Sequence, residues 1–162
     1  MKHFIKCIFL CAIILFLGCT VKEQVRVDID KFISGQASYI DKDVVITATL
    51  EDVVLRYDLY RGKKIEISAP FIYFGKGKFW PWSIMLKKDE NTLRCYSHHY
   101  KSQPSNAAVN LLGMAKSKNE PITILGVLNK DGIDIEEISY NGASVRTDMS
   151  AVPNRMHLFP LR

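Results

Sequence analysis

The chain contains no apolar run long enough to cross a bilayer as a helix. Its longest uncharged apolar stretch, from Cys7 to Gly18, falls short of the roughly 20 apolar residues that a spanning helix requires. It has no internal repeat and no regular alternation of strand and helix patterns, which excludes solenoids and doubly wound α/β folds. Charge of one sign is also scarce. The 22 Lys and Arg against 17 Asp and Glu leave a formal +5, less than the clustered basic footprint of a dedicated nucleic-acid binder. Cysteine is rare, with only Cys7, Cys11, Cys19 and Cys95 in 162 residues.

What the chain does have is a distinctive beginning. Lys2 and Lys6 precede the apolar run, which closes on Phe16, Leu17, Gly18 and Cys19. These are the charged, apolar and small-residue zones of an export signal. The Leu17-Gly18-Cys19 ending resembles the lipobox of bacterial lipoproteins. The resemblance implies that residues 1–18 are a signal peptide and that Cys19 receives a thioether-linked diacylglycerol. Further acylation of the new amino terminus, palmitate being the usual kind of chain, completes the anchor. An ordinary secretory signal or an uncleaved anchor is the competing reading. One lipid chain binds a membrane only marginally, at about 0.8 kcal/mol per buried methylene, whereas two or three hold the protein essentially permanently. Thr20 stands where the enterobacterial pattern for inner-membrane retention has aspartate, so the periplasmic face of the outer membrane is the expected site in a Gram-negative cell.

Removal of the signal takes Lys2 and Lys6 with it and lowers the formal charge from +5 to about +3. Cys7 and Cys11 leave too, and Cys19 is occupied by lipid. Cys95 then has no partner, and no intramolecular disulfide is expected. A lone thiol in an apolar alternating segment is normally a small buried hydrophobe.

Residues 19–42 read as anchor and leader, with one or two helical turns between Asp30 and Tyr39. From Asp43 the stretch VVITATLEDVV is rich in β-branched residues and predicts a strand. Residues 55–78 read as an extended insertion or a hairpin: Arg61, Gly62 and Lys63 form a turn, IEIS alternates, Pro70 interrupts, and FIYFGKGKF reads as a strand entering a glycine turn. Strands over Trp80–Lys88 and Asn91–Tyr100 are joined by Asp89, Glu90 and Asn91, a turn composition. A helix capped at Ser105 or Asn106 presents Ala108, Leu111, Leu112 and Ala115 on one face. PITILGVL and IDIEEISY then form a hairpin around Asp131-Gly132, and Gly126 marks a bulge or bend. Residues 143–162 show no sustained period and read as a tail whose Met156, Leu158, Phe159 and Leu161 are apolar enough to dock on the domain or on a partner.

The stretches VVITATLEDV, SIMLKKDENTLRCYSHH, the helix after them and EPITILGVLNKDGIDIEEI resemble the bacterial OB-fold domains of the tRNA-anti-like group. The resemblance implies a mainly β, five-stranded Greek-key barrel over residues 43–142. One helix lies between its third and fourth strands, and an insertion separates the first from the second. OB domains bind oligonucleotides or oligosaccharides through their second and third strands and adjoining loops, although fold alone assigns no ligand.

Strand alternation separates two faces. Ile84, Leu86, Leu93 and Cys95 are expected to point inward, with Ser83, Met85, Lys87, Arg94, Tyr96 and His98 pointing outward. Lys87, Arg94, Tyr96, His98 and Trp82 are therefore the candidate ligand-binding residues, with Trp80, Phe71, Tyr73 and Phe79 at the rim. Aromatic faces stack on bases or sugar rings, and basic groups pair with phosphates or carboxylates. The competing reading is rings packed under the insertion and charges on a solvated strand face.

No metal, cofactor or catalytic residue is expected. Gly75 to Lys78 lacks the Gly-Lys-Ser/Thr ending and the helix of a phosphate-binding loop. Cys95, His98 and His99 alternate faces in a strand and lack a fourth ligand. The Asn129–Glu137 region misses the bidentate acid of a calcium loop. Ser97 has no nucleophile elbow. The expectation is a lipid-anchored, non-catalytic envelope protein whose OB-like module binds an envelope glycan or protein. Single-stranded nucleic acid is the alternative ligand, and a hydrolytic or metal-dependent enzyme the third reading.

Overall fold

The computed structural model describes residues 22–75, 83–97 and 105–147. Cys19, Phe79, Trp80, Trp82, His98, His99 and the chain after Thr147 lie outside the described residues. Among the described residues, nine strands form a single mixed sheet: β1 (Gln24–Val27), β2 (Asp43–Ala48), β3 (Lys64–Ala69), β4 (Phe71–Gly75), β5 (Ser83–Lys88), β6 (Asn91–Tyr96), β7 (Ile122–Asn129), β8 (Gly132–Tyr140) and β9 (Ala143–Arg146). Their hydrogen-bonded order is β1-β2-β3-β7-β8-β6-β5-β4, with β9 added to β8. The β1–β2, β2–β3 and β6–β8 pairs are parallel. Every other pair is antiparallel. Among the described residues, four α-helices accompany the sheet: α1 (Ile29–Ser34), α2 (Leu50–Leu55), the single turn α3 (Tyr57–Tyr60) and α4 (Asn106–Lys118). Among the described residues, no helix is long and apolar enough to cross a membrane.

The mainly β class agrees with the sequence, but the simple five-stranded barrel does not. The hydrogen-bonded path is open and carries more strands than expected. The strand anticipated through VVITATLEDVV stops at Ala48. Thr49 caps α2, its hydroxyl accepting from the Asp52 amide at 3.2 Å, and Glu51 and Asp52 supply acids to the first helical turn. Leu50 and Val53, three apart, are both buried. A capping sequence thus outweighs β-branched composition.

The supposed insertion is a working part of the sheet. Lys64–Ala69 pairs with β7, and Phe71–Gly75, one residue later, pairs with β5. Between them stands Pro70, which has no amide proton to continue a ladder, while its carbonyl accepts from the Lys87 amide at 2.9 Å. One stretch of chain therefore serves two neighbours on either side of a proline.

Other expectations hold. β5 and β6 meet through a two-residue turn, with Asp89 at φ 54°. Ser105 caps α4 by accepting from the Ala108 amide at 3.2 Å, and Ala108, Leu111, Leu112 and Ala115 are its buried residues. The helix ends at Asn119, in the left-handed conformation. Gly126 lies at a register shift against β8, and a Cβ there would stand 2.1 Å from the Asp134 carbonyl oxygen. The β7–β8 turn consists of Lys130 and Asp131, since Asn129 pairs with Gly132. Gly132 answers a different need, because a Cβ on it would strike the Arg94 carbonyl oxygen at 2.1 Å. The first residues of the expected tail, Ala143–Arg146, are strand β9.

The core gathers Ile65 and Ile67 of β3, Ile84 and Leu86 of β5, Leu93 and Cys95 of β6, and Ile124, Ile133 and Ile138 of the β7–β8 hairpin. Leu50 and Val53 of α2 and Leu111 and Leu112 of α4 join it. The inward set expected from alternation in β5 and β6 is thus the buried set.

Candidate ligand-binding face

The β5–β6 ladder fixes which outward side chains are neighbours. Met85 stands opposite Arg94, Lys87 opposite Thr92, and Ser83 opposite Tyr96. Directly opposed residues share a face, so the expected grouping of Lys87 with Arg94 is present in the backbone. Lys87 and Thr92 are exposed, while Met85 and Arg94 are half-buried. Among the described residues, neither Lys87 nor Arg94 takes part in an ion pair. The close approach of Gly132 to the Arg94 carbonyl holds that residue where β6 and β8 begin to pair. The face therefore offers two cations around a methionine and a hydroxyl. It can attract carboxylate, phosphate or sulfate groups, and Arg94 can grip them with a planar fork.

Tyr96 does not belong to this exposed set. Only 1% of it is accessible. Its ring leaves β6 on the side opposite Cys95, but its phenol lies beside Asn129, Asp131 and Asp134 of the β7–β8 hairpin and beside Tyr57 of α3. Burial raises its pKa, and a hydrogen bond from the Asn129 side chain opposes the rise. Tyr57 reaches the same place, its hydroxyl donating to the Asn129 carbonyl. Ser83, expected outside, is likewise buried at 5% exposure. The sequence missed the burial of Tyr96 because α3, which brings Tyr57 beside it, was unforeseen. Outward on a strand is not outward to solvent when another element lies over it. Trp82 and His98, the other candidates, lie outside the described residues.

Cys95 is fully buried, and desolvation pushes its thiol pKa well above the usual range. It is core, as the alternating pattern implied. Among the described residues, no three His, Cys, Asp or Glu side chains gather in a way that could hold a metal.

An ionic cluster that the sequence reading overlooked ties the small helices together. The Arg56 guanidinium donates to both Asp52 oxygens at 2.7 Å and to Asp30 of α1 at 2.8 Å. Tyr60 donates to the same Asp52 carboxylate. The Asp52–Arg56 spacing of four is a helical pairing signal, but it was hidden by reading the segment as a strand. A second cluster sets Lys64 of β3 between Glu136 at 2.9 Å and Asp43 at 3.5 Å. Both clusters link elements of the scaffold and leave the β5–β6 cations apart.

Comparison with known proteins finds no matching family model, no matching curated protein and no matching solved structure.

Proposed function

We propose that this chain is a lipid-anchored protein of the bacterial cell envelope, held through Cys19, whose OB-like domain binds an anionic envelope partner without converting it. The OB reading is supported by strand connectivity. The stretch divided by Pro70 pairs with β7 in one half and β5 in the other, β5 and β6 form a hairpin, α4 follows, and β8 lies parallel to β6 and antiparallel to β7. In such a domain β5 and β6 correspond to the strands through which OB folds bind. β1, β2 and the small helices are then additions on the β3 side.

The observation that carries the ligand reading is the Lys87–Arg94 face, cationic and not engaged in ion pairs among the described residues. A peptidoglycan fragment or other acidic envelope glycan, or an acidic patch on an envelope protein, has the matching chemistry. Burial of Tyr96 removes from this face a ring that single-stranded nucleic acid would stack on, which counts against that alternative.

The test is titration of the purified protein with peptidoglycan fragments, acidic oligosaccharides and a short single strand at two salt concentrations. Lys87→Ala with Arg94→Ala is expected to weaken glycan binding by about tenfold or more, in line with the loss of two charge-assisted contacts. Equal binding by the double variant would dismiss the face. Preference for the single strand, with affinity falling steeply as salt rises, would favour nucleic acid. Mass spectrometry of protein from its native host tests the anchor, with Cys19 expected as a diacylglyceryl amino-terminal residue.

A further inference from the structure

The outer side of α4 is not finished as a surface. Seven of its residues, from Ala107 to Ser117, line a groove of about 810 Å³ whose far wall is β9. Val109 and Met114, apolar and 39% and 51% exposed, form its floor on the helix side, and Ala143 and Val145 face them from the strand. Gly113 lies between, where an added Cβ would meet nothing within 4 Å. The result is an apolar notch with Asn110, Ser117 and Ser144 along it, able to take hydrogen bonds from a guest backbone.

The chain leaves the described structure beside this groove. β9 supplies one wall, and Thr147 directly after it is pinned, its amide donating to the Glu136 carbonyl at 2.8 Å and its hydroxyl to the Ile135 carbonyl. Residues 148–162 follow, with Met156, Leu158, Phe159 and Leu161 close together and with Pro153 and Pro160 opposing a continuous helix. At about 3.3 Å per extended residue, the part before Met156 is long enough to reverse direction and lay the apolar end along α4. A segment tethered this closely is present at an effective concentration of the order of millimolar, above that of most competitors.

We infer that the groove between α4 and β9 is the docking site of this chain's own carboxy-terminal segment, Met156 to Leu161, which covers Val109, Gly113 and Met114. The inference depends neither on the lipid anchor nor on the β5–β6 face.

Cysteine cross-linking in the full-length protein tests it. Met114→Cys with Phe159→Cys places a thiol on each side of the contact, and Ile40→Cys with Phe159→Cys is the control, Ile40 being 77% exposed and on a different part of the molecule. Ile40 and Met114 are exposed, so neither substitution touches the core, and Cys95 is too buried to react; Cys7, Cys11 and Cys19 are replaced by serine in both variants. Under mild oxidation, the 114–159 disulfide is expected to form within one chain about tenfold faster than the 40–159 disulfide, independent of protein concentration. Equal rates would overturn the inference. A disulfide between two chains, with a rate that rises with concentration, would overturn it in favour of a second copy as occupant.

Discussion

Gly126 and Asp134 approach so closely across the β7–β8 hairpin that a Cβ on the glycine would lie 2.1 Å from the aspartate carbonyl oxygen and 2.8 Å from a methyl group of Ile133. The carbonyl belongs to a paired strand and cannot swing aside. Gly126→Ala is therefore expected to destabilise the fold by about 1–3 kcal/mol, the usual range of overpacking. Urea denaturation checks this. An unchanged midpoint would mean that the bulge at this register shift relaxes freely.

The same hairpin separates two residues that sequence alternation alone treats as equivalent. Tyr96→Ala removes a buried ring and is expected to cost about 3–5 kcal/mol of stability. Arg94→Ala, on the more open part of the same face, should stay within about 0.5 kcal/mol of the parent while losing ligand. Thermal melts and binding titrations on both variants distinguish the roles. Loss of binding by Arg94→Ala with a lowered melting point would return Arg94 to the scaffold.

Legibility followed the strength of the local pattern. The helix at Asn106–Lys118, both hairpins and the buried identities of Ile84, Leu86, Leu93 and Cys95 could be read because apolar spacing, caps and turn residues all agree there. Residues 49–60 misled because Val53 and Val54 favour a strand, while Thr49, Glu51 and Asp52 favour a helix start, and the buried pair Leu50 and Val53 decides between them. Lys64–Gly75 showed strand character on both sides of Pro70 but was read as an insertion; that its halves serve different neighbours in the main sheet is a long-range fact. At the candidate face, alternation grouped Lys87 with Arg94 correctly. It could not show that Tyr57, from an unforeseen turn of helix, comes to lie beside Tyr96.

Cys95 offers a clean probe of native-state opening. Its thiol is buried and its ionisation suppressed, and the thiolate is the reactive form. A thiol reagent should leave it unmodified in the folded protein, and raising the pH from about 7 to 9, which speeds reaction of an exposed thiol with a pKa near 8.5, should leave that protection in place. Labelling is expected to appear only with urea unfolding, read by mass spectrometry at Cys95. Rapid native labelling would show that β6 opens locally, well below the cost of global unfolding.

Asp52 gives the fold an acid limit. Its carboxylate receives two hydrogen bonds from Arg56 and one from Tyr60, and the Arg56 contacts first, then Tyr60, hold its pKa below the ordinary value of 3.8. A carboxylate whose folded pKa is depressed stabilises the native state fully above its unfolded pKa, and that contribution disappears as pH falls through the folded value. The melting-temperature gap between the parent and Asp52→Asn should therefore be widest from about pH 5 to 7 and should shrink below about pH 4, where the unfolded carboxyl is protonated. Moderate salt should narrow the gap only partly, because Asp52 and Arg56 are each about one-third exposed and partly buried pairs are screened less than surface ones. A gap of constant size from pH 7 to 2 would mean that Asp52 joins α2 to Arg56 and Tyr60 by shape and neutral hydrogen bonding, with its charge contributing nothing.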